Sequence, residues 1–135
     1  TTPMIEVDGS LAGAGANGIR ISAGSSVVRG LVINRFTGAG IRLDVGAGNL
    51  IEGNYIGTDP TGALDLGNGF AGVEINSSPN NLIGGTRAAA RNVISGNDGR
   101  AVYIYGTGST GNRVEGNYIG TTANGSAALG NDRGR

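Results

Sequence analysis

The 135-residue sequence predicts an all-β fold: a parallel β-helix, or β-solenoid, with three short strands per coil. Three observations carry this. The stretch "NLIEGNYIGTDPTGALDLGN" at 49–68 returns at 112–131 as "NRVEGNYIGTTANGSAALGN", with twelve of twenty positions identical. Three short apolar phrases recur in a fixed order along the chain, at a period of about 22 residues or more, which is that of a solenoid. The 28 glycines, accompanied by Asn, Thr and Ser but only 3 prolines, punctuate Ile/Val/Leu runs too short for helices.

The first phrase is Gly18-Ile19-Arg20-Ile21, then Gly40-Ile41-Arg42-Leu43, Gly72-Val73-Glu74-Ile75 and Ala101-Val102-Tyr103-Ile104. Alternation along a strand turns Ile19, Ile41, Val73 and Val102 inward, with Ile21, Leu43, Ile75 and Ile104 beside them. The second phrase runs Val28-Arg29-Gly30, Ile51-Glu52-Gly53, Ile83-Gly84-Gly85 and Val114-Glu115-Gly116, with its first residue inward. The third is Leu31-Val32-Ile33, Asn54-Tyr55-Ile56, Asn92-Val93-Ile94 and Asn117-Tyr118-Ile119, with its Ile inward. Residues 18–39, 40–71, 72–100 and 101–135 are thus four successive coils of one domain, after a partial N-terminal coil over 1–17. "MIEVDGS" is the final strand of that partial coil, and "TRAAAR" at 86–91 is the one hint of a helical turn.

Asn49, Asn81 and Asn112 open the second strand, and Asn54, Asn92 and Asn117 stand at the bend into the third. A short carboxamide at a turn satisfies backbone groups, so these residues are expected to form structural ladders up the stack. Glycines 30, 53, 85 and 116 are expected to permit the bend.

Composition excludes several function classes. Cys, His, Trp and Lys are absent and all ten bases are Arg. Thiolate and Cys/His zinc sites, Cys nucleophiles and Ser-His-Asp triads are therefore impossible. Ten acids balance ten bases without a basic run, which leaves no electrostatic footprint for nucleic acid. No apolar run approaches the roughly 20 residues of a membrane span, so no membrane insertion is expected. The opening "TTPMIEVDGS" lacks an initiator Met, which suggests a mature or excised segment with export encoded upstream.

The phrases "LVINRF", "EGNYIGT", "NNLIGGT" and "RNVISGN" resemble the right-handed parallel β-helix repeat family of secreted and surface bacterial proteins, the pectin-lyase-like solenoids, over nearly the whole chain. The resemblance implies right-handed coiling, in line with the general bias of parallel crossovers. It also implies an extracellular or cell-surface setting, often within large adhesins. Solenoids of this class often use the outer face of the first strand as a carbohydrate groove. That row is Arg20, Arg42, Glu74 and Tyr103, a set able to hold an acidic sugar. The same row is equally a solvated face whose charges pair across rungs.

Cleavage of polysaccharide has little support. Pectin-degrading relatives cluster Asp residues on one face, whereas the six Asp here fall at different repeat offsets. Glycoside hydrolysis needs two carboxyls about 5–10 Å apart. Glu52 and Glu115 lie two rungs apart, roughly 10 Å, with Gly84 between them and nothing nearby to bury either. "DLGNG" at 65–69, "GNDG" at 96–99 and "GNDRG" at 130–134 offer oxygens to Ca²⁺, but such segments ordinarily turn the chain. No metal and no cofactor is assigned.

Val27, Leu50 and Leu82 form an outward apolar row on the second strand; Val32, Tyr55, Val93 and Tyr118 form another on the third. Contiguous apolar rows mark a covered surface. Either the inserts "DPTGALDLGNGFA" and "TANGSAALGN" fold over them, or another copy packs laterally. The solenoid's ends expose strand edges and interior that invite pairing. The leading expectation is a non-catalytic structural solenoid that self-associates head to tail into an extracellular fibre or matrix. The alternative is a carbohydrate-binding segment of a larger adhesin.

Overall fold

The computed structural model describes residues 2, 3 and 5–132. Thr1 and Met4 of the N-terminal phrase, and the last three residues of the fourth coil, lie outside the described residues. The chain forms thirteen short strands in three parallel sheets, a right-handed parallel β-helix with three strands per coil.

The first sheet holds β2 (Ile19–Ile21), β5 (Ala39–Asp44), β8 (Ala71–Asn76) and β11 (Arg100–Tyr105). The second holds β3 (Val27–Arg29), β6 (Leu50–Glu52), β9 (Leu82–Gly84) and β12 (Arg113–Glu115). The third holds β1 (Ile5–Asp8), β4 (Leu31–Asn34), β7 (Tyr55–Ile56), β10 (Val93–Ile94) and β13 (Tyr118–Ile119). As expected, β1 is a lone final strand: Ile5 pairs with Leu31 and Val7 with Ile33. Ala88–Ala90 make a single 3₁₀ turn.

The register follows the sequence phrases. Ile19 pairs with Ile41, Ile41 with Val73, and Val73 with Val102. Ile41, Leu43, Val73, Ile75, Ile51, Ile83, Ile33, Ile56 and Ile94 have no exposed surface at all. Burial of this completeness needs a rung on both sides, because each coil is one strand thick. The last rung shows the converse: Ile104, Val114 and Ile119 occupy the same inward positions but are 39%, 38% and 45% exposed. Near the other end the ring of Phe36 fills the interior. A Cβ on Gly9 would stand 2.5 Å from it and one on Gly18 3.0 Å, so bare backbone is required above the ring. Gly30, Gly53 and Gly116 turn the corner into the third sheet at φ 75°, 66° and 71°, a region that favours glycine.

Both expected asparagine ladders are present. Nδ2 of Asn49 donates to Oδ1 of Asn81 at 3.0 Å, and Asn81 to Asn112 at 2.8 Å. Asn54 donates to Asn92 at 3.1 Å and Asn92 to Asn117 at 2.9 Å. A third ladder occupies the remaining corner, between the third and first sheets: Asn68 to Asn97 at 3.0 Å and Asn97 to Asn131 at 2.9 Å. It lies in the "GNG" and "GND" segments, whose resemblance to ordinary turns conceals it in the sequence.

Candidate functional site

The outer face of the first sheet carries two neighbouring rows. Arg20, Arg42, Glu74 and Tyr103 stand in register as the sequence predicts. Beside them run Asp44, Asn76 and Tyr105, at the strand ends. The second row shapes the first. Arg20 donates to Asp44 at 2.7 Å, and Nε of Arg42 donates to the same carboxylate at 2.9 Å. The other arm of Arg42 reaches Glu74 at 3.1 Å, and the Tyr105 hydroxyl donates to Glu74 at 2.6 Å. Asn76 completes the shell of Asp44 at 3.2 Å.

Asp44 and Glu74 are only 5% and 3% exposed, so this is a shielded network of alternating charge. The hydrogen bond from Arg42 holds the Asp44 carboxyl below its ordinary range against the upward push of burial, helped by Arg20 and Asn76. Conversely, the bond to Glu74 raises the Tyr105 phenol. A carboxyl held ionised in this way has no proton to give a leaving group at neutral pH.

An aromatic patch follows on the C-terminal side. Tyr103 and Tyr105 stack with ring centroids 4.5 Å apart, Phe70 meets Tyr103 edge-on at 5.9 Å, and the Arg100 guanidinium lies 4.4 Å above the Tyr103 ring. A groove of about 410 Å³ borders this face, walled by Gly15, Asn17 and Thr37 on one side and by Arg42, Glu74, Phe70 and Tyr105 on the other.

On the second sheet, Val27 is 55% exposed while Leu50 and Leu82 are half-buried, leaving a partly open apolar row. The third-sheet row is different. Val32 and Val93 are 1% and 2% exposed and offer nothing to a lateral neighbour. The inserts lie against the flanking tyrosines: a Cβ on Gly62 would stand 3.0 Å from the Tyr55 ring, and one on Gly125 3.1 Å from Tyr118. The two inserts also join each other, Ala123 N–H donating to Gly62 O at 2.9 Å. Of the two alternatives for this row, coverage by the chain itself holds for Val32 and Val93, while Tyr55 and Tyr118 stay half-buried.

Glu52 needs a correction. It is 4% exposed, because the 86–91 segment folds over it; Arg29 donates to one oxygen at 2.8 Å and Arg87 to the other at 3.4 Å. Glu115, at the same offset, is half-buried and paired with Arg113 at 2.6 Å. The two carboxyls do not share one environment. Among the described residues no three of His, Cys, Asp and Glu converge on a point that could hold a metal ion, and no helix is long and apolar enough to cross a membrane. Compared with known proteins, the chain matches no family model, no curated protein and no solved structure.

Proposed function

We propose that this chain is a non-catalytic structural β-solenoid that associates end on, head to tail, within an extracellular fibre or matrix. One observation carries the reading: Ile104, Val114 and Ile119 are substantially exposed at positions that every inner rung buries completely. They sit on β11, β12 and β13, each the outermost strand of its sheet on that side. The opposite edges are β2, β3 and β1, and all strands run parallel. A second copy placed along the axis beyond the last rung therefore meets these edges without reversing any strand. Unpaired strand edges and apolar surface both favour such addition, and a net charge of zero does not oppose it. A heterologous contact of this kind does not close, so it propagates. Sedimentation and negative-stain electron microscopy over a concentration series test it. Oligomers lengthening with concentration, and lost in Ile119→Glu, are expected; a monodisperse monomer at millimolar concentration sinks the reading.

The aromatic patch favours a second reading, carbohydrate binding on the first-sheet face. Phe70, 41% exposed, and Tyr105 line the groove, whereas Arg20, Arg42 and Glu74 are engaged with protein partners and Tyr103 with Tyr105 and Arg100. Binding to a glycan panel that Phe70→Ala removes would support it; absence of binding to any acidic or neutral glycan would dismiss it.

A further inference from the structure

We infer that Asn124 is a self-modifying site: the backbone nitrogen of Gly125 closes on its carboxamide, and water completes the conversion to aspartate and isoaspartate.

An Asn-Gly pair is reactive because glycine has no Cβ to hinder approach to its own nitrogen. The chain has three such pairs, at 17–18, 68–69 and 124–125. The fold treats them differently. Asn68 has no exposed surface, and its Nδ2 is held by Ile33 and Asn97. The nitrogen that would attack it, on Gly69, donates to the Phe36 carbonyl at 2.7 Å. Asn17 is half-buried and its Oδ1 takes the Ala39 N–H at 2.8 Å, while Gly18 N–H donates to the Ala39 carbonyl at 3.0 Å. Both pairs are thus locked to a neighbouring rung. Asn124 and Gly125 are exposed, and Gly125 N–H bonds only within its own turn, to the Thr122 carbonyl at 2.8 Å. Opening that bond disturbs no sheet.

The turn also activates the carboxamide. Oδ1 of Asn124 accepts from the Thr122 hydroxyl at 2.8 Å, Ser126 N–H at 3.0 Å and the Ser126 hydroxyl at 2.7 Å. The Thr122 oxygen in turn accepts Ala127 N–H, which leaves its own hydrogen for Asn124. Three donors around one oxygen draw electrons from Cγ and stabilise the negative charge that attack places on Oδ1. Nδ2, the leaving group, is held by no described residue.

Hydroxide takes the Gly125 N–H proton, and the nitrogen bonds to Cγ as the carbonyl electron pair moves onto Oδ1. The pair returns, the Cγ–Nδ2 bond breaks, and Nδ2 takes a proton from water and leaves as ammonia, which regenerates hydroxide. Water then adds to either carbonyl of the cyclic imide and opens it, to aspartate or isoaspartate. One water is consumed and one ammonia released. The aspartate has a counterpart in the first insert, where the Asp59 carboxylate holds the turn by accepting from Thr61 at 2.8 Å, Ala63 at 3.1 Å and Leu64 at 3.0 Å. Isoaspartate instead lengthens the backbone and breaks the turn. Either product brings a negative charge to the groove of about 460 Å³ between the inserts, whose lining carries no ionic side chain.

The folded chain is held in warm neutral buffer, digested at intervals and mapped by mass spectrometry, conversion being read as the mass gain from NH₂ to OH. Asn124 is expected to convert at least tenfold faster than Asn17 or Asn68, whereas a chain kept unfolded in guanidinium converts all three at similar rates. Ser126→Ala, an exposed change, is expected to slow Asn124 threefold or more in the folded chain but not in the unfolded one. Conversion of Asn17 or Asn68 as fast as Asn124 overturns selection by the fold. A Ser126→Ala rate equal to wild type in the folded chain overturns activation by the turn. A folded chain in which Asn124 stays intact while the unfolded chain converts overturns the inference outright.

Discussion

Arg42 and Asp44, two residues apart on one strand, point to the same side and meet at 2.9 Å, with Asp44 also gripped by Arg20 from the preceding rung. Asp44 therefore has a lower pKa folded than unfolded. Its contribution to stability is complete above the unfolded value of about 3.9 and is lost as pH falls through the folded one. Thermal melting should be insensitive to this group near neutrality and drop below about pH 4. In Asp44→Asn that acid loss should be smaller, as differential scanning calorimetry across pH 7 to 2 would show.

Removing the arginine instead should cost more. Arg42→Ala leaves Asp44 and Glu74 buried without their shared partner, a change of about 3 kcal/mol. Urea unfolding measures it, and a cost indistinguishable from zero would mean that the network is not the shielded structure described.

The ladders make a graded prediction. Asn92 has no exposed surface and makes bonds to Asn54, Ile51 and Asn117. Asn92→Ala orphans buried groups at about 1–3 kcal/mol each. Asn112, half-buried on the last rung, should cost about 1 kcal/mol on the same change. Equal losses at the two sites would contradict the ladder account.

Backbone strain gives a pair of opposite sign. Gly57 has φ 101°, and a Cβ there would stand 2.2 Å from the Ser95 carbonyl, so Gly57→Ala should prevent a native fold or cost several kcal/mol. Val45 is β-branched, 70% exposed, and held at φ 65°. Its aligned neighbours Ser77 and Gly106 share the positive φ. Val45→Asn, which tolerates that region, should stabilise by about 0.5–1 kcal/mol. Both are checked by chemical denaturation.

Strand positions and inward rows are legible in the sequence because a rung is a nearest-neighbour object: alternation and repeat offset together place Ile41, Ile51 and Ile56 without long-range information. What the sequence conceals is where inserts of irregular length return. The fate of Val32, Val93 and Glu52 depends on how residues 57–69, 120–130 and 86–91 fold back, which no periodicity encodes. The third ladder is hidden because Asn68, Asn97 and Asn131 sit in segments whose composition is that of any turn. On the first-sheet face, Arg20, Arg42, Glu74 and Tyr103 are legible from strand offset. Their partners Asp44 and Tyr105 are not, because they close the strands beyond the repeated phrase.

The rung-by-rung stacking also sets how the molecule yields to force. Its inter-strand hydrogen bonds lie along the solenoid axis, so a pull on one end of the chain peels the outermost coil and loads only that coil's bonds. Resistance is then local and low, and rupture proceeds in steps. Each step frees one coil of about 30 residues, roughly 100 Å of extended chain. Such a body is extensible by instalments: it lengthens under tension while the remaining coils keep their shape.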